Sequence, residues 1–99
     1  MARFDVFANP DGAGYLLVVQ SGILDHLNTR VVVPLMPQSQ APLPARTLNP
    51  VFAIGADSVV MVTQFMAAVP GGMLKNPVTT LENRRDDIVA AIDLLMQGF

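Results

Sequence analysis

Cysteine and tryptophan are absent from this 99-residue chain, and histidine occurs once. Without cysteine there can be no disulfide, no thiolate metal site and no thiol nucleophile, and the absence fits a reducing compartment. Charge is scarce too: 14% of the residues are charged, against about 25% in ordinary domains. The six Lys and Arg form no basic stripe, so direct nucleic-acid binding is not expected. Long apolar runs are missing as well. The longest charge-free stretch, Ser58 to Leu74, is interrupted by Thr63, Gln64 and Pro70-Gly71-Gly72. It falls short of the roughly 20 apolar residues that cross a bilayer, and reads as core strand plus loop. Met1-Ala2-Arg3-Phe4-Asp5 carries no apolar stretch after its positive charge, so a signal peptide is not expected and the expected location is cytoplasmic.

What remains is apolar. Alanine, the aliphatic residues, methionine and the aromatics make up 52% of the chain, which disfavours disorder and supports one core in one domain, residues 1–99. So few charges leave apolar surface uncovered, and a second copy of the chain is the simplest partner to cover it.

The local signals are mostly β. Phe4 to Ala8 alternates, Asn9-Pro10-Asp11-Gly12 is a turn, and Tyr15 to Gln20 is a β-rich run, together a hairpin. Arg30 to Leu35 is a third strand, which Pro34 is expected to shorten or place at an edge. Met36 to Pro50, with four prolines, predicts an irregular excursion. Val51 to Ile54 and Ser58 to Thr63 flank Gly55-Ala56-Asp57 as a second hairpin. Thr80 to Met96 is the one helix, with Thr79 and Glu82 spaced as a capping box and Gly98 placed to end it. Leu81, Ile88, Ile92 and Leu95 share its apolar face; Glu82, Asp86 and Asp93 lie opposite. Arg84-Arg85-Asp86-Asp87 reads as a solvated face. Met61 and Met66 are expected in the core. The fold class is therefore β-rich, α+β: a small barrel-like sheet closed by a C-terminal helix.

Catalytic chemistry is hard to find. Ser21, Asp25 and His26 are triad ingredients, but they crowd one short turn, whereas a triad gathers side chains from separate elements. His26 with Asp25 is too small a ligand set for a metal. Gly12-Ala13-Gly14 leads into a strand, not a helix, so no helix N-terminus is set up to hold phosphate. No cofactor and no metal are expected. The last turn of the helix, by contrast, is apolar nearly all round at Leu94, Leu95 and Met96, which suits docking on another protein, the core, or a dimer seam.

Several segments together carry a likeness: Phe4-Asp5-Val6-Phe7, Val19-Gln20-Ser21-Gly22-Ile23-Leu24-Asp25, Arg30-Val31-Val32-Val33-Pro34-Leu35, Asn49-Pro50-Val51, Ile54-Gly55, Met66-Ala67-Ala68-Val69-Pro70, and Asp87-Ile88 through Ile92-Asp93-Leu94-Leu95 with Gly98. In order, spacing and total length the chain resembles the CcdB family of bacterial toxins. The resemblance implies an SH3-like barrel of antiparallel strands with a C-terminal helix, a homodimer, and a toxin of a type II toxin–antitoxin pair. It implies a poison of DNA gyrase that binds the GyrA subunit, traps the cleaved-DNA complex and breaks no bond itself. It also implies neutralisation by a CcdA-type antitoxin, the pair repressing its own operon. Matched residue by residue, the gyrase-facing surface is Ile23, Leu24, Asp93, Met96, Gln97, Gly98 and Phe99. The family pattern has Asn, Phe and Trp where this chain has Asp93, Met96 and Gln97, which predicts weaker gyrase binding. Antitoxin contact is implied at Asn9, Asp11, Gly12, Gln38 and Arg46.

Two alternatives remain at this point. One is an endoribonuclease toxin of the MazF or Kid kind on the same barrel, for which Arg30, Arg46 and Asp57 are the candidate acid–base and cationic groups. The other is a non-toxic dimeric relative.

Overall fold

A computed structural model describes residues 2–98 of the chain. The β-rich runs become seven strands: β1 (Asp5–Ala8), β2 (Tyr15–Val18), β3 (Thr29–Pro37), β4 (Val51–Ile54), β5 (Asp57–Met61), β6 (Ala67–Pro70) and β7 (Thr79–Thr80). One helix follows, α1 (Arg85–Gln97). Every pairing is antiparallel, in the order β4-β5-β3-β2-β1-β7, with β6 alongside β3. The sheet coils into a nearly closed SH3-like barrel with the helix at its C-terminal end.

Side-chain alternation divides the sheet into two apolar layers. Val6, Leu17, Val33, Leu35, Phe52 and Met61 point inward, where Leu81, Ile88 and Ala91 close the main core. Phe7, Leu16, Val18 and Val32 point outward and are covered by Leu74 and Val69. The segment after β6 therefore seals the outer face of β1, β2 and β3. Met61 is fully buried and Met66 half-buried against the main core, as their positions suggested.

Both hairpins form where the turn chemistry placed them. Asn9 Oδ1 accepts from Asp11 N at 3.0 Å, and Asn9 N donates to Gly14 O at 3.1 Å. Gly55, at φ 59°, turns β4 into β5 so that Ile54 pairs with Asp57.

Pro34 neither shortens β3 nor sits at an edge. The strand runs nine residues and is the centre of the sheet, pairing with β2 on one side and with β6 then β5 on the other. Pro34 falls between Val32, the last partner of β6, and Leu35, the first of β5; its carbonyl accepts from Val62 N at 3.0 Å. The missing N–H thus lies at a change of partner, where a ladder bond is least needed.

The helix begins later than its periodicity predicts. Thr79 and Thr80 pair with Val6 and Asp5 as β7, and Leu81 N donates to Phe4 O at 2.9 Å. A 3-10 turn over Glu82–Arg84 then leads into α1. The capping box does not form: Thr80 Oγ1, not Thr79, accepts from Glu82 N, and Arg84 caps α1 without a side-chain bond. Sheet hydrogen bonds claim this backbone before a helix can. Arg84 is half-buried, pairs with Asp87 at 2.9 Å and lies over the Phe52 ring, so the charge run is not wholly solvated. At the other end Gly98, at φ 81°, donates its N–H to Leu94 O at 3.0 Å, the C-cap its position called for.

Candidate functional site

Among the described residues Leu43, Val51, Phe65 and Val78 are exposed singly, and two further groups of exposed apolar side chains sit over one core. The first lies on the connection from β2 to β3 together with the first residue of β3: residues 21–29 are all exposed. Ser21 Oγ accepts from Ile23 N and caps a short 3-10 turn, Gly22–Leu24, which holds Ile23 out at 85% exposure beside Leu24 and Leu27. Ser21 and Asp25 thereby have structural roles: one caps the turn, the other faces Arg30 with Oδ1 3.9 Å from Nε.

The second set is the end of α1. Ile88 and Ala91 are buried and Val89 and Ile92 pack against the core, but Leu95 is 37% exposed and Met96 63% exposed. Leu95 therefore leaves the core stripe assigned to it, because the barrel's cover ends at Ile92. Asp93 is half-buried, Gln97 exposed, and Gly98 is the exposed C-cap; Phe99 lies outside the described residues. Val19 and Val31, which bracket the 21–29 connection, belong to the same apolar cluster as Val89 and Ile92. The connection and the helix end are thus supported by one core.

A third feature joins segments far apart in sequence. Ala13 and Gly14 of the first turn, Gln38 and Ser39 after β3, and Asp57 at the start of β5 line an open cleft of about 530 Å³. At its wall the Tyr15 hydroxyl donates to Asp57 Oδ2 at 2.7 Å, and Ser58 Oγ donates to Gln38 Oε1 at 2.9 Å. The hydrogen bond that Asp57 accepts from the phenol, then desolvation and the carboxylate's charge, push the Tyr15 pKa up. Of the residues assigned to antitoxin contact, Gln38 lines this cleft, and Asn9, Asp11 and Gly12 form the turn that leads to it. Arg46 is exposed on the segment before Asn49, and is not among the cleft residues.

The ribonuclease candidates do not converge. β3 register puts Pro37 opposite Val59, so Asp57 lies beyond the end of β3 opposite to Arg30. Arg30 and Pro37 are seven residue steps apart, roughly 23 Å along a strand at about 3.3 Å per residue. Arg30 is also buried, its guanidinium held by backbone carbonyls.

Sequence reasoning did not single out Leu27, Phe65 or Gln20, and it gave Arg30 a different role, as a candidate cationic group. Leu27 and Phe65 are exposed apolar residues that no periodicity flagged, while Gln20 and Arg30 are buried beneath the exposed connection. A Gln and an Arg bracketing a polar turn was the available signal.

A family model described as CcdB protein matches residues 3–98. The chain belongs to the CcdB family. That family implies the toxin of a toxin–antitoxin system. Of the residues that the likeness to CcdB toxins implies for the target, Ile23 and Leu24 lie on the exposed connection and Asp93, Met96, Gln97 and Gly98 at the end of α1. Among the described residues no helix is long and apolar enough to cross a membrane.

Proposed function

We propose that this CcdB-family protein is a single toxin domain, residues 1–99, that acts as a cytoplasmic homodimer. It binds the GyrA subunit of DNA gyrase and traps the enzyme on cleaved DNA, without catalysis of its own. A CcdA-type antitoxin neutralises it, and the pair represses its own operon. The target-facing residues are Ile23, Leu24, Asp93, Met96, Gln97, Gly98 and Phe99. The antitoxin-facing residues are Asn9, Asp11, Gly12, Gln38 and Arg46.

The observation that carries this reading is the exposure of Ile23 and Met96 on elements that pack against the core. Large apolar side chains held out in water cost solvation, and that cost is recovered when a partner covers them. Asp93 adds a carboxylate at the rim of the helix end, a position that sets partner preference more than affinity.

The test is a truncation ending at Met96, assayed for growth inhibition, for binding to a GyrA dimerisation-region fragment, and for gyrase cleavage-complex formation. Loss of all three with retained thermal stability is the expected result. Unchanged toxicity rejects the assigned surface.

A further inference from the structure

The exposed connection between β2 and β3 is held from beneath by two buried polar side chains. Gln20 and Arg30 are each 8% exposed and stand at its two ends. Gln20 Nε2 donates to Leu24 O at 3.1 Å and Thr29 O at 3.3 Å, while its Oε1 accepts from Val31 N at 3.1 Å. Arg30 Nη2 donates to Asp25 O at 2.7 Å; its Nη1 donates to Thr29 O at 2.9 Å and also to Leu27 O. Four carbonyls of the connection are thus turned inward onto two side chains. The side chains of Ile23, Leu24 and Leu27 remain outside. Asn28 O, in addition, accepts from Gly71 N at 2.8 Å, which ties the connection to the chain after β6.

Stability alone does not call for this arrangement. A buried guanidinium loses hydration, and a well-packed apolar residue of similar size often stabilises as much or more. Arg30 has only a long ion pair among the described residues: Asp25 Oδ1 is 3.9 Å from Nε, and Nε makes no hydrogen bond. What an apolar residue cannot do is fix several carbonyls at once, whereas the planar fork of Arg can.

We propose that Gln20 and Arg30 are positioning residues for target binding: by gripping the carbonyls of residues 24, 25, 27 and 29 they present Ile23, Leu24 and Leu27 as a pre-set apolar knob. A knob ordered before docking spares the complex the ordering cost that a mobile connection carries. This inference rests on the reading of Ile23 and Leu24 as target-facing.

The experiment compares the full-length protein with I23A, Q20M, R30K and the double variant I23A/R30K. R30K keeps the charge, but a compact ammonium cannot span the three carbonyls. Three quantities are read: affinity for the GyrA dimerisation-region fragment, amide exchange at Asp25 and Leu27, and amide exchange at Leu17 and Val33 as a measure of the barrel. In Q20M and R30K the barrel amides are expected to stay protected, the connection amides to exchange faster, and affinity to fall about tenfold. The double variant is expected to bind little worse than I23A, since a knob without Ile23 gains little from being held.

Faster exchange in Q20M and R30K with wild-type affinity overturns the positioning role and leaves the target surface standing. Losses that add fully with I23A overturn it as well. Wild-type affinity in I23A overturns the target surface itself, and this inference with it. If R30K fails to protect the barrel, Q20M and I23A/Q20M take the place of R30K and I23A/R30K in both comparisons.

Discussion

Gly14 lies against the backbone of Leu35: a Cβ on Gly14 would meet the Leu35 carbonyl oxygen at 2.3 Å and Pro37 Cδ at 3.1 Å. Its φ of 87° is in the left-handed region as well. The first turn can close over β3 only because this position carries no side chain. Gly14→Ala is therefore expected to cost about 1–3 kcal/mol from backbone strain alone, and more from the overlap. For a chain this size each kcal/mol lowers Tm by roughly 4–8 °C. Gly12, with no atom within 4 Å of a built Cβ, is the control; Gly12→Ala should stay within about 0.5 kcal/mol of the parent. Thermal unfolding of the two variants checks both values.

Asn49 is buried and uses both ends of its amide. Oδ1 accepts from Ala45 N at 2.9 Å; Nδ2 donates to Met61 O at 3.1 Å and Gln64 Oε1 at 2.8 Å. Asn49→Asp keeps the shape but sets a carboxylate against two acceptors. A loss of about 1–3 kcal/mol is expected at neutral pH. It should shrink as acid protonates the new carboxyl, and urea titrations at neutral and acidic pH measure the difference.

Ile88 is fully buried, whereas Ile92 only packs against the rim of the same core. Ile88→Ala is expected to cost about 2–5 kcal/mol, and Ile92→Ala less in a dilute sample. If the dimer covers Ile92, its cost rises with protein concentration, which melting at two concentrations reads directly.

Tyr15 and Asp57 form an exposed hydroxyl–carboxylate pair across the cleft, and the Tyr15 pKa is raised. A group whose folded pKa is raised contributes stability below its unfolded pKa, near 10 for tyrosine, and loses it as pH climbs through the folded value. The stability difference between the parent and Tyr15→Phe should therefore be constant from neutral pH to about 10 and fade above that. Asp57→Asn should bring the phenol's titration back toward its ordinary range, measured by ultraviolet absorbance.

Ile23 and Met96 stand far enough out of the fold that truncating them should leave stability within about 0.5 kcal/mol. Each is expected to weaken GyrA-fragment binding by about 1 kcal/mol or more if it is an anchor of the interface. Calorimetric titration alongside thermal melting separates the two effects.

Much of this was legible in the residues. The Asn9-Pro10-Asp11-Gly12 and Gly55-Ala56 turns and the Gly98 cap all formed where local chemistry placed them. The start of α1 was not legible, because Thr79 and Thr80 carry a good capping pattern yet find sheet partners in Val6 and Asp5. Pro34 misled in the opposite direction: its lost donor costs little where β3 exchanges one neighbour for another. Leu95 fits the helix period, but period says nothing about where the barrel ends beneath it.

By itself the sequence determined what neighbouring residues decide: turn types, strand alternation, the helical stripe, and the shortage of charge that leaves apolar surface for a partner. The likeness to one toxin family was carried by the same residues. Only the tertiary structure decided which polar side chains are buried and which apolar ones are not. Gln20 and Arg30 grip the β2–β3 connection, Tyr15 meets Asp57 across 42 positions of chain, and Ile23 and Met96 remain uncovered. These are matters of strand register and of where the core's cover ends, and both depend on partners distant along the chain.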